Sequence, residues 1–150
     1  MAMENIETYF DAPIFESTKS LYACRYQNKL EFELMKRLDA EPRILTYYQP
    51  LLTALVRNAK DEKFINVDFW IEFHSGKIDL LYIEKDYVIS NEAKIIVLSN
   101  SLELLKARRV GFAVLNPKAS GLRRVAPDNF NLSGIASIKD FCFVNFKWTN

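Results

Sequence analysis

Two carboxylates fall where the pattern of the chain predicts buried sheet. Residues 64–73 and 78–85 are apolar, aromatic and β-branched runs, and each carries an acid: Asp68 in the first, Glu84 in the second. A charge buried in a sheet is costly unless it is paired or holds a metal ion. The chemistry these residue types offer is cation binding, provided the fold brings them together.

The turn between the runs decides that. His74-Ser75-Gly76-Lys77 is a short polar break containing glycine, the signature of a β-hairpin. Gly76 suits the left-handed position of a three-residue loop, which sets Phe73 against Lys77 and Asp68 against Tyr82. Side chains alternate along a strand, so Tyr82, Glu84 and Asp86 share the face of Asp68, and Lys85 takes the other. Glu84 becomes the diagonal neighbour of Asp68, about 7–8 Å away between backbones, near enough to share one cation. A two-residue Ser75-Gly76 loop would instead put Asp68 opposite Ile83 and separate the pair.

Composition sets the bounds. A chain of 150 residues, 49% hydrophobic, with eleven Phe and seven Tyr, suits one globular domain spanning 1–150 with a real core. The net charge of +1 means that any nucleic-acid footprint must be local. Cys24 and Cys142 lie far apart without metal-ligand spacing, as reduced core residues of an intracellular protein do. The single histidine, His74, sits at the hairpin tip and argues against a zinc site or a Ser-His-Asp triad. With no signal-peptide core and no apolar run long enough to span a bilayer, the expected location is cytoplasmic.

Taken in order, residues 1–20 read as an extended lead-in. Asn28 caps a helix running to about Asp39, with Leu30, Leu34, Met35 and Leu38 as its apolar stripe and Glu31 at the N3 position of a capping box. Glu41-Pro42 stops it. Residues 44–49 form a strand, Pro50 interrupts, and 51–57 resumes before a charged loop. After the hairpin, Ser90 or Asn91 caps a second helix with Ile95, Leu98, Leu102 and Leu105 on one face, ended by Arg108, Arg109 and Gly111. Residues 112–115 are a short buried strand and 118–132 a basic, turn-rich loop. Val144, Phe146 and Trp148 mark a last half-buried strand. The fold class expected is α/β, a mixed central sheet flanked by helices.

This order, with Asn28-Lys29-Leu30-Glu31, Leu38-Asp39-Ala40-Glu41-Pro42-Arg43-Ile44, Tyr47-Tyr48-Gln49-Pro50 and Val67-Asp68-Phe69, resembles the TnsA-type transposon endonucleases and related phage nucleases of the PD-(D/E)xK superfamily. Their pattern is roughly S-x-x-E, L-x-x-D-P-x-V, a Q-P strand, P-D-F and a hairpin ending in E-x-K. The resemblance spans residues 24–115 and implies a restriction-endonuclease-like sandwich that binds and cuts DNA with Mg²⁺, in the company of a transposase or phage protein. Carried over by position, Glu31 and Asp68 are metal ligands and catalytic residues, with Glu84 and Lys85 at the third motif. That motif departs from the pattern, because Tyr82-Ile83-Glu84 occupies the place of E-x-K, or Asp86 that of its lysine. Val67 replaces the proline.

Each residue also has a plainer role. Glu31 is a capping-box partner, Asp68 an acceptor for loop amides, and Glu84 and Lys85 are strand-end surface charges. Arg108, Arg109, Lys118, Arg123 and Arg124 make a DNA-binding patch or ordinary helix-end charges. Tyr82 opposite Asp68 fills space that a second ion needs, and Lys94 is the nearest substitute amine. The expectation is DNA binding with weak or absent cleavage. The alternative is an inactive nuclease scaffold serving as a structural, inhibitory or protein-interaction module.

Overall fold

The computed structural model describes residues 12–20, 22–99, 105–106, 108–118, 121–125 and 130–134. Helix α1, Lys29–Ala40, begins where Asn28 accepts the Glu31 amide on its side chain and ends where Glu41 turns extended before Pro42. Met35 and Leu38 are buried, and Leu30 and Leu34 pack beside them, so the stripe read from the sequence is the face that meets the sheet.

That sheet has five strands in the order β10-β9-β7-β6-β3, namely Gly121–Arg124, Val110–Asn116, Ile78–Ile83, Phe69–Phe73 and Ile44–Tyr48. Strands β7 and β9 run parallel and the other pairs antiparallel, so the sheet is mixed. A second sheet, ordered β11-β8-β4-β5, comprises Phe130–Gly134, Lys94–Ser99, Thr53–Arg57 and Glu62–Asn66. A short ribbon pairs β1, Ile14–Phe15, with β2, Cys24–Arg25. The large sheet is thus covered on both faces. Trp70, Leu80, Phe112 and Val114 meet Val56, Ile65, Ile95 and Val97 of the second sheet. Phe69, Ile71, Leu81, Ile83 and Ala113 meet α1 on the other side. Strand β7 is buried at all six positions, the near-continuous apolar run of a strand with both faces covered.

Four expectations are corrected. Where a second helix was expected from residue 91, β8 stands instead: Ile95 and Val97 are fully buried while Ile96 and Leu98 are half-buried, a period of two. The β-branched Ile-Ile-Val core of that stretch suits a pleated surface better than a helix. The crossover from β7 to the parallel β9 therefore passes through a strand of a second sheet, which covers the first sheet as a helix would. The apolar run 64–73 is divided: β5 belongs to one sheet and β6 to the other, with the chain changing sheets at Val67-Asp68. Strands β3 and β4 are likewise separated at Pro50. The basic stretch 118–132 holds β10 and the start of β11. The strand expected at Val144, Phe146 and Trp148, and Cys142, lie outside the described residues. No helix among the described residues is long and apolar enough to cross a membrane.

Candidate active site

The β6–β7 hairpin has the three-residue loop. Gly76 adopts φ +91°, its amide donates to Phe73 O at 2.9 Å, and the Phe73 amide donates to Lys77 O at 2.9 Å. Phe69 pairs with Leu81 and Ile71 with Asp79, so the register is the one that sets Asp68 level with Tyr82. Face sharing does not follow from it. Asp68 precedes the first residue of β6, at the corner where the chain leaves one sheet for the other, and there the alternation breaks. Its amide donates to Leu81 O at 2.8 Å, and its Oδ2 accepts the Ile83 amide at 2.6 Å.

Lys85, two residues past Ile83, continues the α1-facing series of Leu81 and Ile83. Its Nζ lies 3.7 Å from Asp68 Oδ1 and 3.8 Å from Glu31 Oε2. Glu31 reaches this point from the first turn of α1. Its amide is capped by Asn28 Oδ1 at 2.9 Å, and its own Oε1 accepts the Gln27 amide at 2.9 Å. This is a capping box reaching one residue further back than the usual N-cap amide. Gln49 steadies that entry. Its side chain accepts from the Arg25 amide at 3.0 Å and donates to Arg25 O at 2.7 Å, tying β2 and the approach to α1 to the end of β3.

The result is a cluster of two carboxylates and an ammonium, with the carboxylates nearly enclosed and the lysine at the mouth: side-chain exposures are 10%, 15% and 35% for Glu31, Asp68 and Lys85. Burial pushes the Asp68 carboxyl up to about 6, with the Glu31 charge adding to the rise and the Lys85 charge and Ile83 amide opposing it.

Glu84 is not part of this cluster. It faces the second sheet, accepts the Ile89 amide on Oε2 at 2.8 Å and lies 3.7 Å from Arg123, so it pins the 84–89 loop. Tyr82 points the same way and donates to Tyr87 O at 3.2 Å. Burial raises its phenol further above the ordinary range, with Asp68 and Glu84 contributing. Lys94 is exposed on β8, opposite Arg57 in the second sheet.

The five basic residues do not form one patch. Arg108 donates from Nε to Gly76 O at 2.8 Å and pairs with Glu72 at 3.3 Å, so it braces the hairpin loop. Arg109 is exposed, and its carbonyl accepts the Ile78 amide at the start of β7, the opposite end from Lys85. Arg123 holds Glu84 and donates to Ile89 O. Arg124, on the α1 side, pairs with buried Asp79 at 2.9 Å. Lys118 is exposed just past β9, whose last residues run beside Ile83 at the cluster's end of the sheet. Nothing in the sequence pattern flagged Asp79; only its position inside an apolar run, the same signal that singled out Asp68, could have.

Among the described residues no three His, Cys, Asp or Glu side chains group as a metal ion's ligands. The pair Glu31 and Asp68 nevertheless suits Mg²⁺, which takes hard oxygen donors and is commonly held by one or two carboxylates, with water and substrate phosphate completing its shell. Comparison with protein-family models, with curated proteins and with solved structures finds no match to this chain.

Proposed function

We propose that the chain is a Mg²⁺-dependent DNA endonuclease with a restriction-endonuclease-like sandwich, as its resemblance to the TnsA-type enzymes implies. The observation that carries the reading is the meeting of Glu31, Asp68 and Lys85, drawn from a helix, a sheet corner and a strand end, at one enclosed point. These are the helix acid, the central aspartate and the amine that this chemistry needs. Glu31 and Asp68 are the residues that would hold the cation. A bound Mg²⁺ supplies the charge that polarises a scissile phosphate and acidifies an attacking water. Lys85 offsets negative charge building on that phosphate. Ile83 stands two residues before Lys85, where the E-x-K pattern has an acid, so the site works with two carboxylates and cuts slowly.

That same Ile83 favours a second reading, a nuclease-fold protein that binds DNA or a transposase or phage partner without cutting. Nicking of supercoiled plasmid in Mg²⁺ or Mn²⁺ separates the two. Under the first reading wild type nicks the plasmid, while Asp68→Ala and Lys85→Ala lose at least about 100-fold, the scale of removing one charge-stabilising group from an active site. Equal background in all three proteins would establish the second.

A further inference from the structure

Each carboxylate of the cluster has one oxygen committed to the fold. Glu31 Oε1 is taken by the Gln27 amide and Asp68 Oδ2 by the Ile83 amide. The two that remain for a cation, Glu31 Oε2 and Asp68 Oδ1, are the two that face Lys85 Nζ, at 3.8 and 3.7 Å. Lysine and a metal ion therefore compete for the same pair of atoms. An ammonium is a compact charge on a flexible stem, and at 35% exposure Lys85 is the most solvent-accessible side chain of the three.

We propose that Lys85 gates the cation site: without nucleic acid its ammonium neutralises Glu31 and Asp68 in place of a metal ion, and a backbone phosphate draws it off so that the pair admits a divalent cation. The proposal rests on the reading of Glu31 and Asp68 as the cation site. Its physical basis is charge balance. Two enclosed carboxylates need a counter-charge at all times, and a phosphate arriving at the mouth offers Lys85 an equivalent partner just as Mg²⁺ becomes the better one for the carboxylates. Linkage makes the effect reciprocal, so that the cation and the nucleic acid each tighten the other by the same factor. The gate also prevents a metal-loaded, DNA-free state from accumulating.

The test is Mn²⁺ binding, followed by the electron paramagnetic resonance of the free ion, with and without a short DNA duplex. Asp68→Asn with the same duplex corrects for ions held by the DNA alone. Wild type should bind weakly on its own and tighten on the order of ten-fold with the duplex. Lys85→Met should bind on the order of ten-fold more tightly than wild type without DNA and gain nothing further from it. Lys85→Gln provides the same comparison should the methionine variant fold poorly, and the rise in Tm on adding Mn²⁺ gives an independent measure of affinity. Neutral variants that bind Mn²⁺ no better than wild type would overturn the gate while leaving the cation site standing, provided Asp68→Asn abolishes binding. Binding that survives Asp68→Asn in the Lys85→Met background would overturn the cation site itself and the gate with it.

Discussion

At the opposite end of β7 from the candidate site, one carboxylate is held entirely by the fold. Asp79 is 4% exposed, pairs with Arg124 at 2.9 Å and has Lys77 at 3.4 Å from its Oδ1, outside hydrogen-bonding geometry. Gly111, its partner across the parallel ladder, makes the room. A Cβ built there would stand 2.7 Å from Asp79 Oδ1 and 3.6 Å from Lys77 Cε. The glycine is required by this close approach and not by its backbone angles. Gly111→Ala should therefore destabilise the protein by ~1–3 kcal/mol, the usual cost of overpacking, read as a lower Tm in thermal unfolding. An unchanged Tm would mean that the aspartate has room to swing aside. Asp68 differs in its partners: two aspartates interrupt apolar runs, but Asp79 meets two cations, whereas Asp68 shares one ammonium with a second carboxylate.

Helix α1 is the element that carries Glu31 to the site, and its far end is anchored as firmly as its capped start. Asp39 accepts hydrogen bonds from Ser17 Oγ and Tyr47 Oη, both at 2.6 Å, and from the Thr18 amide at 3.0 Å. Burial pushes its carboxyl up, but those hydrogen bonds outweigh it and hold the group below its ordinary value of 3.8. A carboxyl depressed in the folded state contributes stability that is present above its unfolded value and lost as pH falls through the folded one. Asp39→Asn should thus cost about 1–2 kcal/mol at neutral pH, and the gap to wild type should close on acidification below 3.8. A gap independent of pH in denaturant unfolding would rule this out.

The helix was legible because Asn28, the Leu30-Leu34-Leu38 stripe and Pro42 all agree on it. Residues 91–109 misled because Ile95, Leu98, Leu102 and Leu105 fit a helical stripe while Ile95 and Val97 fit a strand. In so short an apolar stretch periodicity alone cannot choose. The hairpin register was legible from Gly76. Asp68's own orientation was not, since strand alternation was carried through a corner that only the exchange of sheets reveals. That single step put Glu84 on the face of Asp68 and turned Lys85, also named as a site residue, away from it.

At the scale of the whole molecule, a net charge of +1 means that, under the proposed function, DNA is held by local contacts. Three of the five arginine and lysine side chains singled out from the sequence, Arg108, Arg123 and Arg124, are paired with Glu72, Glu84 and Asp79. Under the proposed function, exposed Lys118, at the same end of the sheet as Lys85, is the residue placed to meet the backbone beside the scissile phosphate. Lys118→Ala should lower DNA affinity and reduce the slope of log affinity against log salt by about one unit, with Tm unchanged. A slope equal to that of wild type would remove Lys118 from the interface.

The parallel β7–β9 pair has a consequence for how the protein comes into being. Such a pair closes only after the intervening chain has been laid down and folded across the sheet, and pairings remote in sequence form late, because the entropy of closing the loop is lost before any contact rewards it. A chain still being made can wind α1 and present Glu31 early. Asp68 and Lys85 take their places only when β7 is seated between its neighbours. Under the proposed function the growing polypeptide is thus harmless to nucleic acid until the last strand of that sheet's centre is in place.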